Sequence, residues 1–90
     1  MRISKEVLRK RIKKKSLVDE VIQTEGWNKI IKPELLKWRE NEHRLAENEV
    51  DERKILKHCF TASSISRLLK FIENTLAEGE RAIEQFKKMI

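Results

Sequence analysis

The sequence predicts an all-α protein of three or four helices, packed as a helical hairpin or small bundle and ending in a long amphipathic helix. Its 90 residues include two Gly, one Pro and no Tyr, so few positions favour tight turns. Leu, Ile, Lys, Glu and Arg dominate, and most of these residues favour helices. Because 40% of the residues are charged and 39% are apolar, the core is expected to be a narrow stripe that oligomerisation completes.

The first fifteen residues form a basic arm. They carry eight basic side chains against one acidic side chain, whereas the net charge of the whole chain is +6. Ser4 suits an N-cap, and apolar residues then recur at helical spacing up to Ile12. Repulsion among the cations of residues 9–15 predicts that this segment is frayed until a partner neutralises it. We therefore expect an arm at residues 1–15 and a single helical domain at residues 16–90.

A second helix is expected to begin at Ser16, with Asp19 at the third helical position. Gly26 interrupts the apolar pattern that follows. Pro33 removes a backbone donor and disfavours helix at the residue before it. The sequence therefore predicts a kink or a new helix near Lys32 and Pro33.

Residues 34–60 have helical periodicity, but the middle of this segment is almost entirely polar. The apolar residues between positions 39 and 54 are Leu45, Ala46 and Val50. Two alternatives fit this pattern: one solvent-exposed helix, or a helical hairpin with its turn near residues 48–51.

The strongest periodic pattern follows residues 61–64, where small and hydroxylated residues predict a helix break. From Ile65 to Ile90, apolar residues form one stripe at spacings of three, four and seven. Gly79 and Ala82 lie on this stripe and would let another helix approach closely, while a capping-box pattern predicts that the helix restarts near Thr75.

Self-association through the stripe is expected, because so short a chain cannot cover all its apolar faces internally. Trp27 and Trp38 would share a helical face if Pro33 only kinks the chain. Two roles are open for them, as anchors of a small core or as hot spots of an interface. The predicted interface residues are Trp27, Trp38, Ile65, Leu69, Ile72, Leu76, Ile83 and Phe86.

The basic arm is expected to attract polyanions. Three alternatives are open for the arm: it binds nucleic-acid phosphates, it binds an anionic membrane, or it contacts only solvent. Nucleic acid is favoured, because duplex binding needs no aromatic residue, whereas membrane binding needs bulky apolar side chains opposite the charge. The predicted nucleic-acid-binding residues are Arg9, Lys10, Arg11, Lys13, Lys14 and Lys15.

No catalytic, metal-binding or cofactor-binding site is expected. Glu40 and His43 have the Glu-x-x-His spacing of di-iron bundles, but the sequence has one copy, so a solvated polar face is favoured. His58 and Cys59 point about 100° apart on a helix and therefore do not form a base and nucleophile. Cys59 is expected to be a buried structural residue in an apolar set with Ile55, Leu56 and Phe60.

The sequence features that bear on cellular location predict an intracellular, cytoplasmic protein. The single cysteine excludes an intrachain disulfide. The sequence contains no apolar run long enough to span a bilayer, and its basic start lacks the apolar segment of a secretory signal.

The segment Glu25-Gly26-Trp27-Asn28-Lys29-Ile30-Ile31-Lys32-Pro33-Glu34-Leu35 resembles small helical proteins encoded among the head and packaging genes of tailed bacteriophages. The matching residues are Gly26, Trp27, Ile31, Pro33 and Leu35, within a similar helical pattern over residues 17–76. The resemblance implies a role in phage particle assembly, in the host cytoplasm or the virion, with no catalytic residue.

Two functions follow as hypotheses. The first is a non-enzymatic assembly or adaptor protein that binds protein partners, including its own copies, through apolar helical faces. The second is a nucleic-acid-binding protein that uses the basic arm without sequence specificity.

Overall fold

The computed structural model describes residues 4–89, which contain three α-helices and no strand. Helix α1 is Lys5–Ile22, α2 is Lys32–Asn48 and α3 is Glu52–Lys88, and a short π-helix, Gly26–Ile31, precedes α2. The all-α prediction and the long C-terminal helix are confirmed. Residues 1–3 of the predicted arm and Ile90 of the predicted stripe lie outside the described residues.

Helix α1 begins at the predicted N-cap, where the Oγ of Ser4 accepts a hydrogen bond from the backbone N–H of Val7 at 3.3 Å. It continues through Ser16, so the predicted helix start at that residue is wrong. An i,i+4 ion pair from Lys15 to Asp19 spans this point and supports the helix there. The helix therefore crosses the expected boundary between arm and domain.

Of the two alternatives predicted near Pro33, the new helix is confirmed, because α2 begins at Lys32 and holds Pro33 in its first turn. The preceding segment is a π-helix, in which the N–H of Lys32 bonds to the carbonyl of Trp27. A proline ring clashes with the carbonyl four residues earlier in a regular α-helix, and the wider π-turn relieves that clash.

The hairpin alternative for residues 34–60 is confirmed: α2 ends at Asn48 and α3 begins at Glu52. The carboxylate of Glu49 accepts hydrogen bonds from the N–H groups of Val50 at 3.0 Å and Asp51 at 3.2 Å. The side chain of Asp51 in turn accepts from the N–H of Arg53 at 2.9 Å, which satisfies a donor in the first turn of α3.

Helix α3 is continuous over 37 residues, so the predicted break at residues 61–64 and the restart near Thr75 are both wrong. The hydroxyls there do not cap helices. Thr61, Ser64 and Thr75 instead donate to the carbonyls of Lys57, Phe60 and Phe71, each four residues earlier, at 2.8–3.0 Å. This i−4 bonding satisfies the hydroxyls within a helix.

The chain folds as two compact units. The hairpin unit is Glu25–Lys70, in which α2 and the first part of α3 run antiparallel. The terminal unit pairs α1 with α3 from Phe71 onward, also antiparallel, because Arg9 lies over Phe86 whereas Lys15 reaches Glu80. Over residues 4–89, no helix combines the length and apolar character needed to cross a membrane.

The inner face of α3 has the three-and-four spacing of a heptad repeat. Its residues are Ile55, His58, Ala62, Ile65, Leu69, Ile72, Leu76, Gly79, Ile83 and Phe86, all buried or half-buried. We call this face the seam. The hairpin unit covers the first part with α2, and the terminal unit covers the second part with α1.

Candidate functional site

The six cations predicted to bind nucleic acid all lie on α1, but the helix gives them different surroundings. Arg9, Lys10, Lys13 and Lys14 are exposed, whereas Arg11 and Lys15 are half-buried. Successive residues of a helix point about 100° apart, so a continuous basic run cannot present all its charges on one surface.

Lys15 is engaged inside the terminal unit. Its Nζ donates to Asp19 of α1 at 2.7 Å and reaches Glu80 of α3 at 3.2 Å. The hydrogen bond to Asp19, and then that to Glu80, raise the pKa of Lys15 above its ordinary value. Its aliphatic stem lies against Gly79, where an added Cβ would come within 3.0 Å of the Lys15 side chain. The predicted close approach at a small residue is therefore confirmed.

Two other cations of α1 lie over aromatic rings of α3. The guanidinium of Arg9 is 5.7 Å from the centre of the Phe86 ring, and the ammonium of Lys14 is 4.9 Å from the centre of Phe71. Such cation–π contacts contribute about 0.5–1 kcal/mol at exposed positions. Arg9, Lys14 and Lys15 thus all help to join α1 to α3.

The antiparallel pairing adds two cations that the sequence analysis missed. Lys87 and Lys88 directly follow Phe86, over which Arg9 lies, so the last turn of α3 adjoins the basic half of α1. We call this surface the basic end. Over residues 5–13 and 84–89 it contains seven cations and two carboxylates, Glu6 and Glu84. Its cations are Lys5, Arg9, Lys10, Arg11, Lys13, Lys87 and Lys88.

The predicted interface residues of α3 belong to the seam. Ile65 is buried, and Leu69, Ile72, Leu76, Ile83 and Phe86 are half-buried. The chain's own helices α1 and α2 therefore cover much of the stripe. The two tryptophans differ: Trp27 is 8% exposed and Trp38 is 54% exposed. The π-helix between them has more residues per turn than an α-helix, and this difference rotates the two side chains out of a shared face.

A second apolar surface lies on the hairpin unit. Leu56 and Phe60 are four residues apart on α3 and are 69% and 74% exposed. We call these two residues the outer ridge. The expected apolar cluster around Cys59 is wrong, because Cys59 is also exposed. Only Ile55 of that set turns toward the seam, because neighbours on a helix face different directions.

The charges near the outer ridge are mainly positive, although Glu52 lies one turn before Leu56 on the same face of α3. Residues 53–72 of α3 contain five basic residues and no acidic residue. These cations are Arg53, Lys54, Lys57, Arg67 and Lys70. The apolar periodicity of α3 does not reveal this basic segment, but the absence of Asp and Glu from residues 53–72 could have been read from the sequence.

Polar contacts across the hairpin fix the register of α2 against α3. The Nδ1 of His58 lies 2.5 Å from the Oε2 of Glu42, and Arg39 donates to the hydroxyl of Ser66 at 3.3 Å. His58 therefore has a carboxylate partner from another helix, which the sequence alone did not supply. Half-buried pairs of this kind exclude other registers, since a shift would leave their polar atoms unpaired.

Glu40 and His43 do not belong to a group of metal-ligating side chains within the described part of the chain. Within residues 4–89, no three side chains of His, Cys, Asp or Glu are grouped so that they could hold a metal ion. A depression of about 730 Å³ runs along α2, but its lining belongs to this one helix and it has no opposing wall. The lining residues are Glu34, Lys37, Trp38, Glu40, Asn41, His43, Arg44 and Glu47.

Comparison with known proteins adds no relative: no protein-family model, curated protein or solved structure matches the chain.

Proposed function

We propose that this is a non-enzymatic assembly or adaptor protein whose outer ridge binds a helix of another protein. The observation that carries the proposal is the exposure of Phe60 and Leu56, 74% and 69%, on one face of a long helix. Large apolar side chains grouped in this way on a soluble surface mark interaction sites. A role in phage particle assembly, which the resemblance implies, remains a prediction.

The outer ridge is a better candidate interface than the stripe predicted from periodicity. Seam residues such as Ile65 and Leu76 are already covered within the chain. A partner could reach them only by displacing α2 or α1. Leu56 and Phe60 are available without any unfolding.

The charges beside the ridge favour a different protein over a second copy. Two copies of this surface would bring together five cations of residues 53–72 from each copy, against one neighbouring carboxylate, Glu52, from each. Like charges across an interface oppose association, whereas complementary charges favour it. The surface therefore suits an amphipathic helix with Leu or Ile on one face and Glu or Asp beside it.

Two synthetic helical peptides test this proposal. Both carry the same leucine face, but one has glutamates beside it and the other has lysines. We expect the full-length protein to bind the glutamate peptide more tightly in isothermal titration calorimetry. Phe60→Ser should weaken that binding about tenfold or more, because it removes a large aromatic contact.

Val50→Ser is the matched control, because Val50 is an exposed apolar residue, at 92%, that lies outside the helices. It should leave the affinity unchanged. Equal binding of both peptides, or equal effects of the two variants, would contradict the proposal. Light scattering at micromolar concentration should give a monomer, and a dimer that Phe60→Ser dissociates would make a second copy the partner.

A further inference from the structure

We propose that the basic end is a binding site for the phosphate backbone of duplex nucleic acid, and that Lys87 and Lys88 of α3 form it together with Lys10 and Lys13 of α1. The proposal does not depend on the outer ridge, which lies on the other unit. It also changes the set of residues expected from the sequence, because it adds a second helix and leaves out Lys14 and Lys15, which contact Phe71 and Glu80 of α3.

Four lysines of the basic end are available to contact phosphates. Lys10, Lys13, Lys87 and Lys88 are exposed. None of them forms an ion pair within residues 4–89, where Lys15 and Lys29 are the lysines paired with carboxylates. A cation without a carboxylate partner is available to neutralise a phosphate, and the counterions that the nucleic acid then releases drive binding.

The lysines of the basic end come from two helices that pack against each other. Lys10 and Lys13 lie one turn apart on α1, and the contact between Arg9 and Phe86 sets the last turn of α3 beside them. Packed helices lie about 8–10 Å apart, so lysines of both helices can contact one duplex, with Lys10 and Lys88 at its margins because they point about 200° around their helices from Leu8 and Phe86. Side chains on a helical scaffold can contact several phosphates at once, whereas an extended tail must first be ordered.

The side chains at the basic end suit duplex nucleic acid better than a single strand. Single-stranded sites need exposed aromatic rings on which bases stack. At the basic end the ring of Phe86 is half-buried and Arg9 lies over it. The exposed groups there are mainly lysines, which contact phosphates as point charges and do not read base edges in the bidentate way that arginine does. Binding should therefore be independent of sequence.

The fluorescence anisotropy of a labelled DNA duplex, measured over a range of salt concentrations, tests the site. Each phosphate neutralised adds about −0.9 to the slope of log affinity against log salt. The double variant Lys87→Gln and Lys88→Gln should make the slope shallower by about 1–2, and should weaken binding at low salt on the order of tenfold. Circular dichroism should show an unchanged helix content, because both side chains are exposed.

Lys32→Gln with Lys37→Gln is the matched control, since it removes the same charge from exposed positions of α2. Its slope should equal that of the wild type. Equal effects of the two double variants would show that net charge acts without a site. Absence of binding by the wild type at low salt, or tighter binding to a single strand than to the duplex, would also overturn the proposal.

Discussion

Replacing Gly79 by alanine is expected to destabilise the protein, although alanine is the better helix former. In an open helix this change contributes about 0.8–1 kcal/mol of stability. At Gly79 the new Cβ would come within 3.0 Å of Lys15, and the nearest atoms include the Lys15 Cβ, whose position the backbone of α1 fixes. The two helices must therefore move apart.

Overpacking of this kind costs about 1–3 kcal/mol. The gain in helix propensity offsets part of that cost, which leaves a net loss of about 1 kcal/mol. For a chain of this size, such a loss lowers Tm by about 4–8 °C. Separation of the helices would also lengthen the contact between Lys15 and Glu80, so the effect should be partly lost in a Glu80→Gln background.

Gly26→Ala is the control, because it is expected to change the stability of the protein in the opposite direction. A Cβ at Gly26 meets nothing within 4 Å, and its backbone does not have a positive φ. This substitution should raise stability by about 0.4–1 kcal/mol, because it reduces the freedom of the unfolded chain. Urea unfolding followed by far-UV circular dichroism measures both variants. A similar rise in stability for both would refute the close approach of α1 to α3.

Three further predictions concern substitutions of single side chains. Leu8→Ala should cost about 2–4 kcal/mol in urea unfolding, because Leu8 is only 1% exposed, whereas Val7→Ala should cost less than about 1 kcal/mol; equal costs would mean that α1 is not packed through Leu8. Hydrogen bonds from the N–H groups of Asp51 and Val50 lower the pKa of Glu49 below its usual 4.5, so its contribution to stability is present above that pH and is lost as the pH falls through the lowered pKa. Thermal unfolding should show a smaller loss of stability on acidification in Glu49→Gln, and an unchanged pH profile would contradict this role. Leu69→Asp should lower Tm far more than Glu40→Gln, because it places a carboxylate in the seam, and comparable shifts would exclude Leu69 from the seam.

Several features follow from local physical chemistry and could be predicted from sequence. The N-cap at Ser4 and the kink or new helix at Pro33 each depend on a residue whose side chain or ring acts on the neighbouring backbone, whereas the turn after Asn48 was one of two alternatives that the polar pattern left open. The all-α class follows in the same way, from a composition with few turn formers and from a repeat of apolar residues that only a helix can place on one face.

Local signals failed where they resembled caps but lay within longer helices. Ser16 and Ser64 have the chemistry of N-caps, yet packing of the continuous face outweighs the weak preference of a hydroxyl for a helix end. The prediction for Cys59 was wrong for a different reason. Apolar residues that are adjacent in the sequence of a helix point in different directions, so they need not cluster in space.

The sequence by itself determined the charge of the basic segment and the apolar stripe of α3, since both are properties of residue order. Only the tertiary structure decided what these features face. Antiparallel pairing covers the stripe with α1, holds Lys15 against Glu80, and sets Lys87 and Lys88 beside the basic half of α1. These partners are about seventy residues apart in the chain. The packing of one helix face on another brings them together, and no local pattern encodes that packing.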